Sequence, residues 1–200
     1  MKHILGLLSK PHQEWSLIRD ESHSIAGQYL RFLLWIAILP PLAWWYGASQ
    51  IGWELGGRTI LLTSSSAAQI MGLFYIAILL SIGFLGYMIY WMAKTYDGKN
   101  NDISRAIGVA AYMCTPMFLV GITGLYPVLW LDMIVGTAAA AYTLYLLYIG
   151  IPIVYDMPKE RGFLFASATV AVGLVLMVAL LGATVILWEM GAMPVFTDGY

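Results

Sequence analysis

Residues 163–188 read FLFASATVAVGLVLMVALLGATVILW, a run without Asp, Glu, Lys, Arg or His. A hydrocarbon core about 30 Å thick is crossed by roughly 20 apolar residues in a helix. Lipid offers no hydrogen bonds, so the backbone must satisfy itself, and a helix does. Working back toward the N-terminus, four more stretches fit the same reading, at about 30–48, 67–93, 105–122 and 127–149. The composition requires them, with 60% of the 200 residues hydrophobic and only 10% charged. A soluble domain carries about 25% charged residues. The expected fold is an all-α integral membrane protein with five transmembrane helices, one domain over residues 1–200.

The charges orient those helices. Lys2, Lys10, Arg19 and Arg31 lie before or at the start of the first span. Lys94, Lys99 and Arg105 belong to the second connection, and Lys159 and Arg161 to the fourth. Only Arg58 lies on the opposite side. Cytoplasmic loops collect Lys and Arg, so the N-terminus is expected inside and the C-terminus outside.

Residues 1–29 then form a cytoplasmic segment whose part 9–28 reads as an interfacial helix. Ser9 is its expected cap and Pro11 suits its first turn. Trp15, Ile18, Ser22 and Ile25 share one face, a weak apolar stripe that predicts docking on the interface rather than deep burial. On the outer side, residues 51–62 alternate around Gly56-Gly57, the pattern of a β-hairpin. The pairing sets Ile51 opposite Leu62 and Trp53 opposite Ile60.

Prolines mark where the spans bend. Pro40 and Pro41 remove two donors in the first span and free the carbonyls of Ile36 and Ala37. Pro116 frees that of Tyr112 in the third span, with Thr115 placed to repair the gap. Asn101 or Asp102 can cap the third span, and Pro127 suits the first turn of the fourth. Gly150 followed by Pro152 is the expected stop of that helix. Small residues predict where helices meet: Ala77, Ser81, Gly83 and Gly86 in the second span, 136–141 in the fourth, and Ser167, Ala171, Gly182 and Ala183 in the fifth.

Other classes fall away. Net charge is −1, and no basic patch interleaved with aromatics points to nucleic acid. Cys114 is the single cysteine, so no intrachain disulfide is possible, and it reads as a small buried hydrophobe. The apolar run at 4–8 is too short for a cleavable signal. His12 and His23 would stand about 16 Å apart along one helix, too far to share a metal. The residues contain no Ser/His/Asp set, cysteine pair or phosphate-cradling glycine loop, so no cofactor is expected. Tyr142, Tyr145 and Tyr148 read as packing and interface anchors.

Four strings resemble the bacterial branch of the Yip (Ypt-interacting protein) family: Ile51-Gly-Trp53, Tyr112-Met-Cys-Thr115-Pro116-Met-Phe-Leu, Leu125-Tyr126-Pro127-Val-Leu-Trp130-Leu and Tyr145-Leu-Leu-Tyr148-Ile-Gly150-Ile-Pro152. The likeness covers essentially the whole chain, from Lys10-Pro11 to the closing Val185-Ile-Leu-Trp188. It implies a five-helix protein of the bacterial inner membrane. Eukaryotic members look like binders of small GTPases, but their Asp-Leu-Tyr-Gly-Pro motif is replaced here by Ile25-Ala-Gly-Gln-Tyr29.

Asp132 is the one ionisable side chain clearly inside a span, roughly 7–8 Å from its outer end. Intramembrane acids point to function. The candidate polar site is therefore Asp132 with Arg58, Gln69, Thr115 and Pro116. The expected role is a non-enzymatic organiser or partner-binding subunit, in contact with lipid and with other membrane proteins or further copies. The alternative is a small-solute or ion permease working as an oligomer. A permease requires a continuous polar cavity reaching Asp132; an organiser requires an exposed groove of small residues.

Overall fold

The computed structural model describes residues 3–21, 24–99 and 101–197. Lys2, Ser22 and His23 lie outside them, as does the side chain of Arg31. The chain is mostly helical. Among the described residues, three helices are long and apolar enough to cross a membrane: Ser64–Thr95, Leu129–Val154 and Lys159–Ala192. A fourth is a pair, Ile103–Met113 and Thr115–Leu125, bent by 42°.

The N-terminal segment is two helices rather than one, α1 (Ile4–Ser9) and α2 (Pro11–Asp20). Ser9 does not cap α2; its hydroxyl donates back to the Leu5 carbonyl, and the cap position falls to Lys10. Pro11 opens α2 as expected. The face of α2 is not merely docked, because Trp15 is fully buried and Ile18 nearly so. The stripe is weak by count, but its Trp finds a matching partner. A Cβ at Gly150 would lie 2.6 Å from the Trp15 ring, so the indole lies flush on the fourth apolar helix.

From Ile25 to Ile51 the chain runs through short helical pieces. They are α3 (Ile25–Gln28), a π turn (Tyr29–Leu33), α4 (Leu34–Ala37), α5 (Leu39–Tyr46) and a second π turn (Gly47–Ile51). The break at Ile38 precedes the two prolines, which lie in the first turn of α5 and are buried. Pro40 packs on Gly121 and the Trp44 ring on Gly124, both within the 3-10 turn Gly121–Leu125. The kink thus brings α5 against the turn joining the third and fourth apolar helices.

Strands β1 (Trp53–Leu55) and β2 (Arg58–Ile60) pair antiparallel, with Trp53 opposite Ile60. Gly56 and Gly57 have φ of +59° and +79°, the left-handed values a two-residue turn demands. The expected Ile51–Leu62 pair does not form. Ile51 ends a π turn, Gly52 turns away at φ +80°, and Leu62 bridges Phe196 instead. Thr63 N–H donates to the Val195 carbonyl at 2.8 Å and Thr197 N–H to Leu61 at 3.0 Å. The C-terminal segment is thereby tied beside the hairpin.

Helix α6 (Ser64–Thr95) is capped by Thr63, whose hydroxyl accepts from Ser66 N–H, and α7 (Ile103–Met113) by Asp102. Helix α8 (Thr115–Val120) follows the bend. Helix α9 (Leu129–Val154) starts after Val128, two residues later than Pro127 suggested. It also does not stop at Gly150 but runs through Pro152. The proline supplies no N–H to the Tyr148 carbonyl four residues back, but its own carbonyl accepts from Met157 N–H and its ring packs on Gly162 of α10 (Lys159–Leu187). The turn comes at Asp156, φ +46°.

The core gathers at the end of the bundle that holds the loops at 96–102 and 155–158. There Leu7, Trp15, Ile89, Val109, Leu146, Ile151, Tyr155 and Phe165 are all fully buried. A second, smaller cluster of Ala48, Leu62 and Ala67 lies beside the hairpin, and beyond Thr169 no residue of α10 is buried.

Candidate functional site

The bend between α7 and α8 comes from Pro116, which supplies no N–H to the preceding turn. Thr115 is 0% exposed, yet its Oγ1 has no hydrogen-bond partner. It does not repair the Tyr112 carbonyl, which accepts from the Cys114 N–H. A buried hydroxyl left unpaired costs free energy, so this position is polar without a structural reason.

Asp132 lies in the first turn of α9, where an acid favours the positive end of the helix dipole. Both of its carboxylate oxygens are buried and accept no hydrogen bond. Arg58 opens β2, opposite Leu55, and Gln69 is exposed on α6. Thr115 and Pro116 adjoin each other, but no hydrogen bond from Arg58 or Gln69 reaches Asp132.

Sequence reasoning missed His3. Its ring is 4% exposed, its Nδ1 within hydrogen-bond reach of Glu14 and its Nε2 3.1 Å from Glu21. The ring thus stands between two carboxylates, one at each nitrogen. Tyr112 meets it edge-on at 5.5 Å. This cluster and the Tyr142 hydroxyl, which donates to the Leu7 carbonyl at 2.9 Å, fasten the N-terminal helices to α7 and α9. The only signal was Glu14 and Glu21 seven apart; the break at Lys10 hid the rest.

A second ionic group links two loops at the same end. Lys99 donates to Asp156 at 2.8 Å and Arg161 to Asp97 at 2.7 Å. The Lys99 hydrogen bond, and then its charge, holds the Asp156 carboxyl below its ordinary value. Among the described residues no group of three His, Cys, Asp or Glu is placed to hold a metal.

An apolar space of about 910 Å³ lies between α6, the α7–α8 bend and α10. Its walls include Cys114 but not Asp132, Arg58 or Thr115.

Residues 5–180 match the Yip1 domain. The chain belongs to the Yip1-domain family. It is 39% identical over 192 residues to inner membrane protein YohC of Escherichia coli strains K12 and O6:H1, covering 96% of this chain and 98% of each relative. No solved structure matches it. With its apolar helices, this Yip1-domain protein is a multi-pass protein of the inner membrane. The family match ends at 180, so the end of α10 and the C-terminal tie to the hairpin lie beyond it.

Proposed function

We propose that the protein is a non-enzymatic organiser, which holds other membrane proteins or further copies of itself through the exposed face of α9. The observation that carries this reading is where the small residues lie. Thr137, Ala138, Ala140 and Ala141 are exposed, and a Cβ at Gly136 would meet nothing. In lipid, close backbone approach and packing drive association, because there is little hydrophobic force between helices.

The accompanying topology is a single domain of five spans, the N-terminal segment 1–29 and the ion-paired loops in the cytoplasm, and the hairpin and C-terminus outside. The helical pieces from Ile25 to Ile51 would supply the fifth span, being 27 residues, about 40 Å at helical rise. The basic residues of the loops at 97–105 and 159–161 support this orientation.

Thr137→Cys in a Cys114→Ala background tests the organiser reading. Oxidation in native membranes should give a cross-linked species whose partner is identified by mass, and Ala140→Leu should suppress it. Exclusively monomeric Thr137→Cys would refute the role of this face. The permease reading rests on one observation, the buried and unpartnered carboxylate of Asp132.

A further inference from the structure

Helix α10 is fastened at both ends. At one end the Tyr96 and Phe165 rings stack at 5.3 Å, Tyr148 and Ser167 share a hydrogen bond of 2.9 Å, and Arg161 pairs with Asp97. At the other, the chain after α10 is tied to Leu61–Thr63, and Val195 N–H donates to the Ser66 hydroxyl at 3.0 Å. Between these ties α6 and α10 line the space of about 910 Å³.

The shape of that space identifies its occupant. Its walls run from Ile70 to Leu85 on α6 and from Gly173 to Trp188 along the last helix, each about 22 Å at helical rise. The volume spread over that length gives a cross-section of about 40 Å². Packed hydrocarbon chains about 4.5 Å apart take roughly 20 Å² each, so two fit side by side. No charged side chain lines the slot. The hydroxyls of Ser81 and Thr184 are already spent on the carbonyls of Ala77 and Leu180 in their own helices. Water would find too few partners there, and an empty slot would forfeit its dispersion contacts.

The two ends differ. One is lined by Ile82, Leu85 and Phe118, all nearly buried, with Leu85 ten residues, about 15 Å, short of the end of α6. A headgroup cannot lie there. The hairpin end is lined by Trp44 and Trp188, and indoles favour the level of lipid headgroups.

We propose that this slot binds one phospholipid, both tails lying between α6 and α10 and the headgroup beside Trp44 and Trp188. The test uses the full chain in nanodiscs of phosphatidylethanolamine and phosphatidylglycerol, released and weighed by native mass spectrometry. Wild type should retain one phospholipid mass per chain. Gly173→Trp should lose it, because a Cβ there enters open space in the slot. Gly182→Trp is the control: its Cβ also meets open space, but nine residues on it points half a turn away and lines nothing. Ala77→Phe, on the opposite wall, carries the test if Gly173→Trp does not fold, as judged by helix content. Equal retention by wild type and the slot variants overturns the proposal, as does no retention by wild type. A retained single-chain species, or a dimer abolished by Gly173→Trp, assigns the slot to a different occupant and equally overturns it.

Discussion

Asp132→Asn exchanges one oxygen for an amide and removes the charge from a carboxylate whose oxygens accept no hydrogen bond. Burying an unpaired charge is costly, so the neutral variant should match or slightly exceed the wild type in thermal stability. With the organiser reading, cross-linking through Thr137→Cys is also unchanged. If solute flux into proteoliposomes is found and Asp132→Asn abolishes it at normal abundance, the permease reading replaces it. His3 makes the opposite case, because its ring is fully partnered. His3→Ala leaves Glu14 and Glu21 without their shared donor and should cost about 1–3 kcal/mol. Hydrogen exchange across residues 4–20 should accelerate. In a Glu14→Gln/Glu21→Gln background the same substitution should cost clearly less, since the coupling is then already gone.

Among the elements, the N-terminal helices depend on the absence of a side chain at Gly150. Gly150→Leu drives a Cβ to within 2.6 Å of the Trp15 ring. Overpacking of this kind costs about 1–3 kcal/mol, and α2 should leave α9. The expected readout is a red-shifted Trp15 emission in a variant retaining only that tryptophan; an unshifted spectrum would mean that α2 accommodates the collision. Local chemistry made some elements readable. The glycine pair predicted the hairpin register, and Asp102 capped α7, because turns and caps are decided within a few residues. Pro152 misled for the complementary reason. A proline removes one hydrogen bond from the turn before it, but this one's ring gains a partner on α10.

For the whole molecule, orientation is the decisive prediction. Glu160→Cys and Met193→Cys, both at exposed positions, are to be made singly in a Cys114→Ala background. An impermeant thiol reagent on intact cells should label position 193 and spare 160 until the membrane is opened. Labelling of 160 in intact cells would invert the topology.

By itself, the sequence determined that this chain lives in a bilayer, that it is mostly helical, the Trp53–Ile60 pairing of its hairpin and its family. Those follow from composition, from the length a helix needs to cross hydrocarbon, and from turn chemistry, all properties of contiguous residues. Only the tertiary structure decided that His3 joins Glu14 and Glu21, that Trp15 is buried, that the C-terminal segment pairs beside the hairpin, and that α6 and α10 line an apolar space. Each joins residues distant in sequence. Periodicity cannot rank such contacts, since in lipid an apolar face reads the same whether it packs on a helix or on an acyl chain.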